Sequence, residues 1–572
     1  MKKALALLLV CTMILSLAGC NTYTSGDETT QEKTTAAAGS ESADKESTAE
    51  GAQNASGTKE LRIGVSTDAI SLDTSVINDN NSGEILFHTA EGLLRNLEGE
   101  IVPGIAETYD VSEDGLTYTF HLRDAKWEDG EPITAEQFVY SFQRLLDPNT
   151  GATEYDNFLS IVNAQEISDG TVTDLSQLGV KAEDEKTLVV TLSRMSPTFI
   201  SSVASASCLY PLRQEFVEKC GANYGTSADN YIACGPYKIE SWAVDTELVM
   251  VKNENYYDAD KISMDKITRL IISDSNTRAS MFDNGEIDVN VSVPASLKDN
   301  YDENTLKIAS AGTTTTLMVN MNGMTEETGK VLSNVNFIKA LSYAIDRTAL
   351  NTALANGTYE VATRLIDPAT PGSKEGTTYC EEYPDIAGAP AAADPEKANE
   401  YLDKALEELG MTKEELPTIT YLCMEIGQLK LYAEAITDAW KTVLGLDCFE
   451  IVQYPVPTTI QNMLQGQYDI YWQQCGADLN DPYEYMSYWT TYGSINVSGW
   501  MDDTYTGLID QSETTLDRAE RLGYFAEAEQ YILDNGPHIP LFFFTNLLAV
   551  NPQFTGISYS SDMQYIYADY AN

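Results

Sequence analysis

The first twenty residues constrain the rest of the chain most, because they decide the compartment in which it must fold. Lys2 and Lys3 precede a predominantly apolar run over residues 4–18. Such a run matches the hydrophobic region of a secretory signal and is short of the ~20 residues that span a bilayer. Residues 1–19 therefore read as an export signal. Residues 20–58 then shift to Ser, Thr, Ala, Gly, Glu and Lys, with Tyr23 as the one aromatic. A segment of that composition cannot bury a core. It reads as a flexible tether with a root-mean-square reach of roughly 35 Å. Folded sequence starts near Leu61, and what remains has room for about three domains. The formal net charge is −52 at pH 7. Nucleic acid and anionic lipid surfaces would repel such a chain. It is not disordered on that account, because 43% of residues are hydrophobic and 9% are aromatic, well above disordered compositions.

The signal ends Leu17-Ala18-Gly19-Cys20. This resembles a bacterial lipobox, which implies that Cys20 is lipidated and becomes the new N-terminus. A diacylglyceryl anchor supplies at least two chains, enough for stable attachment. The alternative is an ordinary signal peptide with an incidental cysteine. Beyond Cys11 and Cys20, seven cysteines remain: Cys208, Cys220, Cys234, Cys380, Cys423, Cys448 and Cys475. An odd number leaves at least one unpaired, and no pair has CxxC or zinc-ligand spacing. Most read as buried small hydrophobes.

Periodicity predicts strands over residues 61–65, 116–122, 187–192 and 539–550. It predicts helices over 337–354, 395–409, 429–444 and 515–533. Asp394 can cap the second of these, with Pro395 at its first position and Gly410 stopping it. Strands and helices mix throughout, so the class is α/β, with a mixed sheet expected in each lobe. The chain offers little catalytic chemistry. His88, His121 and His538 are scattered, no GxSxG elbow occurs, and residues 323–331 miss the P-loop pattern in spacing and in the final hydroxyl. Residues 79–84 have a calcium-loop composition in the wrong ligand order and read as a polar loop. No metal site and no cofactor are expected.

Several stretches, in order, resemble the oligopeptide- and dipeptide-binding family of ABC transporter solute-binding proteins. They begin with Pro103-Gly104-Ile105-Ala106-Glu107 and Asp114-Gly115-Leu116-Thr117-Tyr118-Thr119-Phe120-His121-Leu122-Arg123. Ala125-Lys126-Trp127-Glu128-Asp129-Gly130-Glu131-Pro132-Ile133-Thr134-Ala135 follows, then Cys234-Gly235-Pro236-Tyr237 and Gly285-Glu286-Ile287-Asp288. Later come Lys339-Ala340-Leu341-Ser342-Tyr343-Ala344-Ile345-Asp346-Arg347, Gly476-Ala477-Asp478-Leu479-Asn480-Asp481-Pro482 and Ile539-Pro540-Leu541-Phe542-Phe543-Phe544. The resemblance covers about residues 60–572. Its turn motifs, around Asp129-Gly130 and Gly235-Pro236, identify the fold without touching ligand.

The resemblance implies a two-lobed periplasmic-binding-protein-like fold with a hinge and an extra domain inserted in the first lobe. Lobe I is expected at 59–90, 194–311 and 542–572, the inserted domain at 91–193, and lobe II at 312–541. The chain would cross between lobes near Ala311-Gly312 and Leu541-Phe542. It implies a monomeric, non-enzymatic protein that captures short peptides between its lobes and delivers them to an ABC permease. In the family, the residue matching Asp478 pairs with the peptide's α-amino group; the alternative reading has Asp478 capping the turn before Pro482. The backbones of Thr314, Thr315 and Thr316, and of Gln474, Cys475 and Gly476, would pair with an extended ligand like added strands. Asn80, Trp472 and Asn496 are further pocket expectations. A core strand is the competing reading of the backbone segments. Metallophore, haem or sugar binding within the family, or a surface chaperone or adhesin, are the alternative functions. In some relatives a disulfide ties the strand near Gly312 to the loop near Gly476; both positions are Gly here, so the bridge is expected to be absent.

Overall fold

The computed structural model describes residues 57–477, 481–493, 496–559 and 563–571. Strand β1 (Glu60–Val65) opens the folded chain, with Leu61, Ile63 and Val65 buried. Helix α1 (Asn80–Thr89) follows. The Asp79 carboxylate caps it by accepting from the Ser82 N–H. Residues 80–84, read as part of a polar loop, are thus a helix start: Asp79 supplies the acceptor that the first turn needs.

Next come β2 (Ala106–Val111), β3 (Thr117–Leu122), α2 (Ala135–Leu146), β4 (Val180–Asp184) and β5 (Thr187–Thr191). They form a separate antiparallel sheet in the order β2-β3-β5-β4, with α2 packed on β4 and β5. The turn before α2 is closed by the Gly130 N–H donating to the Trp127 carbonyl at 2.9 Å, with Gly130 at φ +91°. That conformation suits glycine.

The chain returns through β6 (Tyr237–Ala243), β7 (Glu247–Lys252), β8 (Lys266–Ile271), β9 (Val289–Val291) and the long β10 (Leu306–Val319). Its second half holds α3 (Val335–Tyr343), α4 (Arg347–Ala355), β11 (Glu360–Val361), α5 (Pro395–Leu409), β12 (Ile419–Met424), α6 (Leu429–Leu444), β13 (Phe449–Tyr454), β14 (Ile470–Gly476), α7 (Pro482–Ser487), α8 (Arg518–Asn535) and β15 (His538–Val550). The helix expected over 337–354 is two helices. Asp346 ends the first and caps the second, accepting from the Ala349 N–H at 2.8 Å. The break turns buried Arg347 inward, where its Nε donates to the Pro540 carbonyl at 2.6 Å and its Nη1 to the Ser342 carbonyl.

Each lobe carries mixed parallel and antiparallel strand pairing, as expected, and the two sheets run into one another. A single eleven-stranded mixed sheet runs in the order β13-β12-β14-β10-β15-β9-β1-β8-β7-β6, with β11 paired to β15. Continuity comes from β10 and β15, whose 14 and 13 residues run through both lobes. Residues 306–310 of β10 pair with 549–545 of β15, and 314–318 pair with 543–538. Between these ladders the register breaks, and Gly312 sits at φ +60°. The buried apolar side chains divide at the same place. One cluster takes in Leu61 through Ala309 and returns with Leu548 and Val550; the other runs from Leu317 to Phe542. The result is a two-lobed α/β molecule, its lobes joined through strands whose pairing is interrupted where the cores separate.

Candidate functional site

The break in β10 lies beside the end of β14. The two strands pair antiparallel, with Thr313 opposite Gly476, Thr314 opposite Cys475, Thr315 opposite Gln474 and Thr316 opposite Gln473. The Ala477 N–H donates to the Gly312 carbonyl at 3.0 Å. Antiparallel ladders alternate bonded and non-bonded pairs. Counting from that bond, Cys475 turns its backbone groups toward Thr314, while Gln474 and Gly476 turn theirs to the opposite side.

That opposite side is open. On it, β12 pairs with β14 only at Tyr421–Ile470 and Leu422–Tyr471. The end of β12 stays with β13, and the Gln453 side chain donates to the Met424 carbonyl. Beyond Tyr471, no strand among the described residues covers this edge of β14. The N–H and C=O groups of Gln474 and Gly476 therefore have no strand partner on that side among the described residues; the Gln474 carbonyl accepts from Gln473 Nε2 at 2.9 Å.

The other expected residues are placed less evenly. Thr314, Thr315 and Thr316 are buried and lie between two neighbours, β14 and β15. Their backbones do not form a free edge, and this corrects the expectation that they do. The Thr314 hydroxyl donates to the Leu365 carbonyl, whereas Thr315 Oγ1 is buried without a partner. Trp472 is buried against Tyr432, ring centroids 5.2 Å apart, with its indole N–H unpartnered. Asn496 spends its amide on the Trp489, Thr490 and Trp500 carbonyls and accepts from the Ser498 hydroxyl, which leaves it a loop-tying residue. Asn80 is exposed at the first position of α1. Cys475 is a free cysteine, its thiol pushed up to about 12 by burial. Thr313 and Gly476 face each other across the ladder, so no bridge can form at that pair. Asp478 lies outside the described residues.

Sequence reasoning missed the support of this loop. Asp481 caps α7, accepting from the Tyr483 N–H at 3.0 Å. The same buried carboxylate takes two bonds from Arg521 of α8, at 2.8 and 3.0 Å. Burial pushes the Asp481 carboxyl up, but the Arg521 guanidinium outweighs it and holds the group below the ordinary range. Glu513, on the far side of Arg521, is raised by burial despite the same cation. The Tyr485 hydroxyl donates to the Gly312 carbonyl at 2.9 Å, tying α7 to the break in β10. Among the described residues, no group of three metal-ligating side chains occurs, and no helix is long and apolar enough to cross a membrane.

Two cores joined through broken strands, with an unpaired strand edge beside the break, define a binding protein of the two-lobed class. The chain belongs to the bacterial extracellular solute-binding proteins, family 5, whose model matches residues 100–496. It is 30% identical over 528 residues to the oligopeptide-binding protein OppA of Bacillus subtilis (strain 168), covering 89% of this chain and 92% of that one. Its structure resembles that of the periplasmic murein tripeptide binding protein MppA in an unliganded open form, with a TM-score of 0.74 and 26% identity, over 88% of this chain and 97% of that one. Against Haemophilus influenzae OppA in complex with RPPGFSPFR the TM-score is 0.66, again at 26% identity, over 88% and 96%.

Proposed function

We propose that this chain is the peptide-capturing component of an ABC importer, working outside the cytoplasm as a monomer and held to the membrane by lipid on Cys20. The observation that carries the reading is the open edge of β14 at Gln474 and Gly476. An extended peptide can add there as a strand, because every peptide repeats the same N–H and C=O spacing whatever its side chains. Water filling the remaining space would tolerate many side chains, since bridging waters cost little. The lobes close over the ligand, the first taken as 59–90, 194–311 and 544–572 and the second as 312–543, because the strand pairing breaks between Phe543 and Thr545 rather than at the expected Leu541–Phe542, and the closed form is what the permease receives. The inserted domain is 91–193. No chemical step is needed, and the protein is not an enzyme.

Asp478 anchors the ligand's α-amino group. Its carboxylate would meet the ammonium in a site shut off from water, a charge-assisted contact. Removing one partner of such a pair typically costs about 2–5 kcal/mol, or roughly 30- to 4000-fold in affinity. Mass spectrometry of small molecules co-purified with the native protein identifies the ligand. Asp478→Ala should then weaken it strongly. N-acetylating the peptide should weaken the wild type by a similar factor and add little in the variant. Equal binding of free and acetylated peptide by the wild type would remove Asp478 as the anchor.

A further inference from the structure

Three buried polar groups beside the open edge of β14 have no partner: the Trp472 indole N–H, the Tyr432 hydroxyl and the Thr315 hydroxyl. Trp472 is 4% exposed, Tyr432 5% and Thr315 0%. Burial without a partner is costly for each group, and protein interiors rarely allow it. The three lie together. Thr315 stands opposite Gln474 across the β10–β14 ladder, and Gln474 is two residues beyond Trp472. Opposed residues share a face of a sheet, as do alternate residues of one strand. Thr315 and Trp472 therefore lie on the same face. On its other side Thr315 stands opposite Phe542 of β15. The Tyr432 ring packs against both flanks, its centroid 5.2 Å from that of Trp472 and 5.9 Å from that of Phe542.

The cluster sits where β12 and β14 part. Their last pair is Leu422–Tyr471, and Trp472 is the next residue of β14. β12 continues with β13 as far as the Met424–Tyr454 pair. Tyr432 belongs to the first turn of α6, a few residues beyond the end of β12. These three strands run parallel, and sheets of that kind bind ligands in the crevice beyond the carboxyl ends of their strands. Glu425, Gly427 and Gln428, which follow β12, are exposed. An indole N–H can only donate, and a hydroxyl donates as readily as it accepts. The group that would complete all three is an acceptor. Lys430, on the same turn of α6 as Tyr432, is exposed and lies 3.9 Å from Glu434. A carboxylate buried against the cluster would thus lack a counter-charge, which is costly.

We propose that Trp472, Tyr432 and Thr315 form a side-chain subsite at this fork, one that selects peptides bearing an uncharged acceptor there, the carboxamide of Gln or Asn. The inference rests on the reading that an extended peptide adds to the edge of β14. In an added strand every second side chain points to the same face, so a ligand residue seated beside Trp472 on that face directs its side chain onto the cluster. A carboxamide oxygen accepts from the indole and hydroxyl donors. An apolar side chain of the same length leaves them unpaired, and a site built to hydrogen-bond a group rejects the analogue that lacks it. A carboxylate meets the same donors but loses its hydration without gaining a cation. The backbone edge supplies the sequence-independent part of binding; these three residues determine specificity.

The test uses the whole chain and alanine tetrapeptides carrying a single Gln, Glu or norleucine, placed at each position in turn, with affinity read by calorimetry. At one position wild type should bind the Gln peptide about tenfold more tightly than the norleucine peptide, one hydrogen bond's worth. It should also prefer Gln to Glu there. Tyr432→Phe removes a single oxygen, and Trp472→Phe keeps an aromatic ring without the N–H. Each should bring the Gln-to-norleucine ratio at that position toward one. A wild type that binds the peptides with no such preference at any position overturns the subsite and leaves the donors to buried water alone. A preference that both variants keep overturns it as well. If no peptide of the set binds, the peptide reading itself fails and the subsite falls with it.

Discussion

His538 begins β15 inside the second core, with neither ring nitrogen partnered and its ring centroid 3.9 Å from that of Trp489. Burial pushes the imidazole down to about 3. In the unfolded chain a histidine titrates near 6.5. The folded protein thus refuses a proton that the unfolded chain accepts. Stability is complete above about pH 6.5 and is lost as pH falls toward the folded value. The loss reaches roughly 2 kcal/mol by pH 5. His538→Phe should flatten the fall of the urea midpoint between pH 6.5 and 5; parallel curves for variant and wild type would sink this account. Arg521 is tested differently. Replacing it with Met leaves Asp481 buried with only the Tyr483 N–H and the longer contact to Arg518 at 3.5 Å, a loss of about 3 kcal/mol read by chemical denaturation. A loss below 1 kcal/mol would mean that the loop relaxes to solvate the carboxylate. Half of this pair was legible: an Asp before Pro482 is a helix-start signal. Its guanidinium partner lies on another helix 40 residues on, and no local pattern marks it.

Elements with a single strong period emerged close to where the sequence puts them. α5 has Asp394 as its cap and Gly410 beyond its end, and α6 ends at Gly445. The merged reading of α3 and α4 failed because the apolar stripe continues across a break that Asp346 and Arg347 make for tertiary reasons. Which edge of β14 stays open was equally hidden. It depends on β12 remaining with β13 after Leu422, a pairing between distant segments. The open edge gives a sharp prediction at Gly476. A side-chain carbon there would meet Thr313 Oγ1 at 3.4 Å, an ordinary contact. The Gly476 N–H points to the open side, so Gly476→Pro removes a donor that the sheet does not use, at a strand edge where proline is tolerated. Peptide affinity should fall about tenfold, one hydrogen bond's worth, with a melting temperature within a few degrees of wild type. Unchanged affinity would show that ligand does not pair with this edge.

At the scale of the whole molecule, the separation of the two cores has a thermodynamic consequence. Each cluster buries its own apolar side chains, and the strands that join them break register at the boundary. Cooperative unfolding requires the loss of one core to expose surface on the other, and a junction of interrupted ladders couples them weakly. All-or-none behaviour is the norm for small single domains and fails where such units are loosely joined. The unliganded protein should therefore unfold in two overlapping calorimetric transitions. A peptide held between the lobes binds only when both are folded, so it stabilises them together, by about 2.7 kcal/mol at a hundredfold excess over Kd. Saturating peptide should raise the lower transition more and merge the two. The more stable lobe gains less, because once its neighbour has unfolded it no longer holds half of the site. A single transition without peptide, with calorimetric and van't Hoff enthalpies equal, would show that the sheet continuing through β10 and β15 couples the lobes despite the break at Gly312.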